Sequence, residues 1–331
     1  MWNKGWWVIA AVVVLAVSLA FVGVQASAAS SVTSPPRVSE THGLSELVAR
    51  GGTMSPGSAS TRAGTMCSAL TNGDNASGIY PATSKMGRLY QAYVEDWNSG
   101  NLTLCAHGHD SVIQVVPASV KSFGYYGLAG VMTPTGLDLM LLSWEADAGW
   151  VCYNATIHGC SSWTTFTLPA SFCAGEPVGY CNPDGLIVGS NLAFTYVDVA
   201  NEQMISCTAL AGSCSIDAAS SALTGFAPLG LIKHDDKLFV TDNSCTGNIW
   251  VGNERSLSIV ESFGDALEAV TFVHGNLYVG DDAYCSGGAA GIFDVTTDTA
   301  LPTPFTGPTE LIGLDERLQF TSYTPGAVYT A

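Results

Sequence analysis

The chain has 331 residues, 47% of them apolar, with 28 acidic against 11 basic residues and a net charge of −17. Such a length and apolar content suffice for a large buried core, and the even spread of glycine and of short β-rich runs argues against a helical domain. Nucleic acid is excluded as a partner, because phosphate backbones are held by Lys and Arg; residues 1–65 carry two acids and four bases, which leaves 26 acids against seven bases beyond them.

Residues 8–24 form a near-continuous apolar run behind Lys4 and lead to Ala26-Ser27-Ala28, small residues of the kind a signal peptidase requires. Export is therefore expected. Residues 1–28 are either a signal peptide cleaved after Ala28 or an uncleaved anchor, since the run is just long enough to span a bilayer and Trp6 and Trp7 suit a membrane interface. Contact with a membrane is expected only through this segment. Residues 29–65 are rich in Ser, Thr, Pro, Gly and Ala and lack the apolar surface to fold alone, which marks a disordered linker.

From Ile79 onward one pattern recurs six times: an apolar stretch holding a small residue, a tight polar turn, then Leu-x-apolar-x-polar. The second halves are Leu89-Tyr-Gln-Ala-Tyr93, Leu139-Met-Leu-Leu-Ser143, Leu186-Ile-Val-Gly-Ser190, Leu238-Phe-Val-Thr-Asp242, Leu277-Tyr-Val-Gly-Asp281 and Leu318-Gln-Phe-Thr-Ser322. Their leucines are about 40 to 50 residues apart, the period of four-stranded propeller blades. First strands are expected at 79–84, 128–133, 178–182, 229–233, 268–272 and 311–315, each with a small residue: Ala82, Gly130, Gly179, Gly230, Ala269 and Gly313. Crowding explains them, because first strands converge on a central channel where bulky side chains collide. Turns at 182–185, 234–237, 274–276 and 315–317 lead to second strands. Third strands follow at 149–153, 193–199, 248–252, 291–295 and 326–330. The last repeat ends there, so the segment around Met66 to Leu70 is expected to supply its fourth strand, closing the ring and removing exposed sheet edges. The expected fold is all-β: a six-bladed β-propeller over residues 66–331, closed by an N-terminal strand.

Ten cysteines in an exported chain predict disulfides, and no CxxC pair suggests zinc or a redox motif. Short loops favour Cys152 with Cys160, Cys173 with Cys181, and Cys207 with Cys214. Cys245 and Cys285 lie seven and eight residues past their leucines in consecutive repeats and so tie neighbouring blades. By elimination Cys67 meets Cys105.

A small residue followed by Leu-Tyr/Phe-Val-x-Asp, clearest at 230–242 and 269–281, resembles the NHL-type repeat and the six-bladed propellers of the gluconolactonase, paraoxonase and strictosidine-synthase group. The resemblance covers roughly residues 79–331 and implies architecture rather than activity. For gluconolactonase-like enzymes it implies a calcium at the channel mouth, held by Glu, Asn and Asp mostly just before the small residue of first strands. A hard cation needs several converging oxygens. The matching positions are Pro81, Ala129, Val178, Leu229, Glu268 and Ile312; only Glu268 is polar, and a one-residue shift is expected to bring no second acid. Metal-dependent hydrolysis is not carried over.

Loops between second and third strands face that same mouth and hold Glu95, Asp96, Glu145, Asp147, Asp242, Asp281 and Asp282. With Asn243 and Glu268 these are the candidate ligand-binding residues. An acidic rim around an apolar mouth suits calcium, or a ligand with a cationic group and an apolar body; solvated loop charge is the plainer explanation. Asp242, Asn243, Asp281 and Asp282 make the best oxygen-rich cluster for calcium, although no cofactor is required. His107-Gly-His109-Asp110 lacks the further ligand that zinc needs, and His158, His234 and His274 read as turn residues. No nucleophile elbow, HExxH helix or phosphate loop occurs, so no catalytic nucleophile is nominated. Tyr125, Tyr126, Trp144 and Trp150 fit either a recognition surface or packing between blades. Sequons at Asn75, Asn101 and Asn154 mark surface loops of a glycoprotein if the host glycosylates secreted proteins. The expected function is an extracellular binding module, secreted or surface-tethered, for a protein or small-molecule ligand. Two alternatives stay open: a calcium-dependent, lactonase-like hydrolase with a relocated site at Glu268, Asp242 and Asp281, and a structural surface or coat component.

Overall fold

A computed structural model of the chain describes residues 64–67, 76–81, 91–96, 101–106, 109–115, 125–143, 148–169, 183–281, 285, 291–301, 306–314, 317–324 and 327–330. The segment read as signal, residues 29–63 of the expected linker and the pairing of Cys173 with Cys181 lie outside these residues, whereas Gly64 and Thr65, expected to end the linker, belong to the first strand. Strand β1 is Gly64–Cys67. The first sheet follows as β2 (Ala76–Pro81), β3 (Gln91–Asp96), β4 (Leu102–Ala106) and β5 (His109–Gln114). The second is β6 (Tyr125–Thr133), β7 (Gly136–Ser143), β8 (Ala148–Tyr153) and β9 (Ser162–Thr167), and the third β10 (Pro183–Val188), β11 (Phe194–Asp198), β12 (Gln203–Cys207) and β13 (Cys214–Ile216). The fourth sheet comprises β14 (Pro228–His234), β15 (Lys237–Asp242), β16 (Asn248–Asn253) and β17 (Ser256–Ser262). The fifth is β18 (Leu267–Val273), β19 (Asn276–Asp281), β20 (Gly291–Asp294) and β21 (Thr299–Leu301). The sixth combines β22 (Thr306–Leu314), β23 (Arg317–Thr324) and β24 (Ala327–Thr330) with β1 at its outer edge.

Among the described residues, then, there are six antiparallel four-stranded sheets in a propeller arrangement. Each inner strand packs beside that of the next sheet, from β2 through β6, β10, β14 and β18 to β22, and β22 packs against β2. The fourth strand of the last sheet comes from the N-terminal side: β1 pairs with β24, setting Thr65 opposite Tyr329.

Why second strands are apolar at consecutive positions is visible in the packing. Leu139 and Leu141 of β7 join Tyr93, Leu102 and Trp150 in the layer toward the first sheet, whereas Met140 and Leu142 join Phe194, Tyr196 and Ile205 toward the third. Farther round, Leu238 and Val240 face back to Val197 and Met204, and Phe239 faces forward to Leu277 and Val279. Alternate side chains on a strand leave from opposite faces, so a strand with a sheet on either side must be apolar on both. Burying one such leucine is worth about 2 kcal/mol.

The third repeat departs from the expected register. Leu186 lies on the inner strand β10, not on a second strand, and residues 193–199 supply the second strand β11 rather than a third. Pro183, Asp184 and Gly185 of the expected turn are instead the start of that inner strand. Phe194-Thr-Tyr-Val-Asp198 is the true counterpart of Leu238-Phe-Val-Thr-Asp242: Asp198 pairs with Pro183 as Asp242 pairs with Pro228. A turn through left-handed Asn191 and Leu192 separates the two strands.

This shift also corrects the small residues. The inner-strand positions two past the residue paired with the second-strand end are Gly78, Gly127, Gly185, Gly230, Ala269 and, in the sixth sheet, Glu310. Gly230 and Ala269 were expected; Ala82, Gly130, Gly179 and Gly313 do not hold this place. The crowding itself is real. A Cβ on Gly127 would lie 3.1 Å from Leu186 Cβ, one on Gly185 2.5 Å from the Leu229 carbonyl, and one on Gly230 2.9 Å from the Glu268 carbonyl, so each glycine admits the next inner strand.

Disulfides join Cys152 to Cys160, Cys207 to Cys214, and Cys245 to Cys285. The first two close outer hairpins, and the third staples the fourth sheet to the fifth. Cys105 is disulfide-bonded as well. Among the described residues no helix is long and apolar enough to cross a membrane.

Candidate functional site at the channel mouth

Among the described residues, inner strands of five sheets line a channel cavity of about 120 Å³. Its walls are mainly glycine and aliphatic side chains, among them Ile79, Leu128, Leu186, Leu231 and Val270, with Thr271 and Tyr80 as the polar members. The Tyr80 hydroxyl donates to the Gly130 carbonyl at 3.3 Å. Burial pushes its phenol above the ordinary value near 10.0, so it remains a neutral donor. Pockets that enclose a small-molecule ligand run to roughly 300–1,000 Å³, so a ligand of that size rests on the mouth rather than inside.

The mouth is the end at which inner strands begin and second strands finish. Second-strand ends there are Asp96, Ser143, Asp198, Asp242, Asp281 and Ser322, each paired across to an early inner-strand residue. Of these, Asp96, Asp242 and Asp281 were expected in an acidic rim. Instead Asp242 and Asp281 are buried, as are Ser143 and Asp198. Asp242 shows why. Its Oδ1 accepts from the backbone N–H of Ala227 at 3.1 Å and of Ser244 at 2.8 Å. Its Oδ2 accepts from Ser244 Oγ at 2.6 Å and from Thr246 Oγ1. Where a chain reverses, its N–H groups lose their ladder partners and need another acceptor; one carboxylate serves both the arriving chain and the departing loop. Asp198 repeats the device, accepting from Asn201 N at 3.1 Å and Asn201 Nδ2 at 2.9 Å.

The candidate residues thus separate by role. Asp242 is committed to its own sheet, and its neighbour Asn243 donates its backbone N–H to the Ala227 carbonyl at 2.8 Å. Asp281 is buried at the equivalent place. Glu268 is half-buried on β18, just before Ala269, where it was expected. Glu95 and Asp96 lie at the end of β3, while Glu145, Asp147 and Asp282 lie outside the described residues. Among the described residues no three His, Cys, Asp or Glu side chains gather closely enough to hold a metal ion. Trp150 is wholly buried between the first and second sheets, which makes it a packing residue and not part of a recognition surface.

Sequence reasoning missed Asp184. In the corrected register the positions preceding the small residue are Ser77, Tyr126, Asp184, Leu229, Glu268 and Thr309, so the expectation of a single acid in this ring is overturned. Asp184 is buried, and its Oδ1 accepts the Gly185 N–H at 2.6 Å. The pairing of Phe194-Thr-Tyr-Val-Asp198 with the Leu-x-Val-x-Asp pattern was the signal that could have revealed it.

No protein-family model and no curated protein matches the chain. Solved structures do resemble it in fold. A catalytically inactive virginiamycin B lyase from Staphylococcus aureus with quinupristin superposes with a TM-score of 0.51 at 17% identity, over 80% of this chain and 82% of that one. A chain of a nidogen/laminin complex gives 0.51 at 13%, over 76% and 87%. A protein assigned as a gluconolactonase gives 0.53 at 12%, over 82% and 92%. At such identities the likeness establishes a β-propeller and nothing finer.

Proposed function

We propose that the chain is an extracellular binding module: one closed, six-bladed propeller that presents the channel mouth to a protein or small-molecule ligand. Residues 1–28 direct export and are removed or kept as an anchor, and residues 29–63 serve as a spacer. The observation that carries this reading is the fate of the signature acids. Asp198 and Asp242 spend their oxygens on loop N–H and hydroxyl groups of their own sheets, and the channel behind them is walled by aliphatic side chains and glycine. Among the described residues the mouth therefore offers shape and an apolar floor. Disulfides are compatible with an extracellular setting. The matching chain of the nidogen/laminin complex, alike in fold, is part of an assembly of two proteins.

Asp184 favours a second reading. Two acids on alternate inner strands, Asp184 and Glu268, recreate part of the oxygen set that a calcium-dependent hydrolase requires. Calorimetric titration with calcium, alongside assays for lactone and ester turnover, decides between them. The binding-module reading expects no stoichiometric calcium uptake and no turnover. Uptake together with turnover, both lost in Asp184→Asn and Glu268→Gln, would establish the hydrolase instead.

A further inference from the structure

Outer strands of a propeller are open sheet edges, and natural proteins blunt such edges by shortness, bulges, charge or a covering segment. Five of the six edges here show one or more of these devices. Strand β1 is four residues long and its pairing is bulged. Strand β5 carries Asp110 and is bulged against β4. Strands β13 and β21 are three residues each, and β13 is further clamped through Cys214. Strand β17 carries Glu261, is bulged, and is covered by the 3-10 helix Ala218–Ala222.

Among the described residues, strand β9 has none of them. It runs for six residues, Ser-Trp-Thr-Thr-Phe-Thr, in unbroken register with β8. Ser162, Trp163, Thr164 and Thr165 are all exposed, with Trp163 at 43% and Ile157 of the preceding turn at 52%. Its start is held by the Cys152–Cys160 bridge, so little freedom remains to be lost on pairing. β-Branched and aromatic side chains suit a further strand.

We infer that β9 pairs antiparallel with β9 of a second copy of this chain. Charge selects the occupant. From Ala148 to Gly175 there is no Asp, Glu, Lys or Arg, in a chain of net charge −17. Two such molecules repel across most of their surfaces, and this edge lets them approach without opposing acids, while it offers an ionic partner no counter-charge. The edge is also self-complementary. A two-fold axis through Thr164 sets Thr164 against its own copy and each Trp163 against the other Thr165, an aromatic to β-branched pair of the kind that stabilises sheets.

The test is the mass in solution, by sedimentation or light scattering, of the protein exported by its host and purified. Wild type should sediment as a dimer that dissociates on dilution. Thr165→Lys places two cations near the axis on an exposed position and should weaken dimerisation by at least about tenfold, with an unchanged melting temperature at dilutions where both proteins are monomeric. Ser258→Lys, the same charge change on the exposed part of β17, should leave the dimer intact. A wild type that stays monomeric at its highest soluble concentration overturns the inference. So does a dimer that Thr165→Lys leaves unchanged, or one that both variants weaken alike.

Discussion

Asp242 holds together the arriving chain at Ala227, the departing loop at Ser244 and Thr246, and the end of its own strand. Removing its carboxylate orphans several part-buried donors at once, and a fully buried donor is worth about 1–3 kcal/mol when left unsatisfied. Asp242→Ala should therefore lower unfolding stability by about 3 kcal/mol in a urea titration, and a loss below about 1 kcal/mol would show that the donors find other acceptors. Asp217 behaves differently. Desolvation by burial raises its carboxyl above the usual value near 3.8; the Ser206 hydroxyl, donating at 2.8 Å, opposes the rise, and the charge of Glu254 adds to it. A carboxyl whose folded value is raised binds its proton more tightly in the folded chain, so its contribution is favourable at low pH and is lost as pH climbs from the unfolded value through the folded one. Asp217→Asn cannot lose a proton. Relative to wild type, its melting temperature should improve as pH rises through and above the ordinary carboxylate range, and a difference flat with pH would contradict the shift.

Among the elements, the inner strands impose the sharpest demand. Gly185 combines a φ of 43° with a Leu229 carbonyl 2.5 Å from where a Cβ would sit. Gly225 has a φ of 86° but nothing within 4 Å. Alanine at Gly225 therefore costs only the left-handed backbone, about 1 kcal/mol, whereas Gly185→Ala adds overpacking of about 1–3 kcal/mol. Chemical denaturation should rank Gly185→Ala clearly below Gly225→Ala; equal losses would mean that the inner strands are not in contact there. These strands are also where sequence reading met its limit. Repeats four and five, with Gly230 and Ala269 followed by Leu238-Phe-Val-Thr-Asp242 and Leu277-Tyr-Val-Gly-Asp281, were legible because turn, small residue and apolar run all agree. The third repeat offered two candidate runs, and Leu186-Ile-Val matches the pattern through its aliphatic residues alone. Only the buried polar end distinguishes a second strand from an inner one, and Asp198 has it where Ser190 does not. The same misreading hid Asp184. Recurrence of that polar end in repeat after repeat was itself a sign of structural duty, because a ligand site needs particular residues on a few blades.

For the whole molecule, the account rests on closure. Second strands such as β7 are apolar on both faces because each stands between two sheets, and that holds for every sheet only if the last meets the first, as the packing of β22 against β2 shows. The mouth, its floor and the staple between Cys245 and Cys285 follow from the same geometry. Closure was readable from the missing fourth strand of the last repeat, since an open ring would expose two sheet edges; the ligand was not, because a propeller scaffold constrains packing and leaves its mouth chemically free. The seam is β1 against β24, where Thr65 lies opposite Tyr329. Cysteines introduced at both places, Thr65→Cys with Tyr329→Cys, test it directly by peptide mapping of the oxidised monomer. The account predicts one bridged peptide joining the two strands within a single chain; two thiols that stay free to alkylation while the protein remains folded would contradict it.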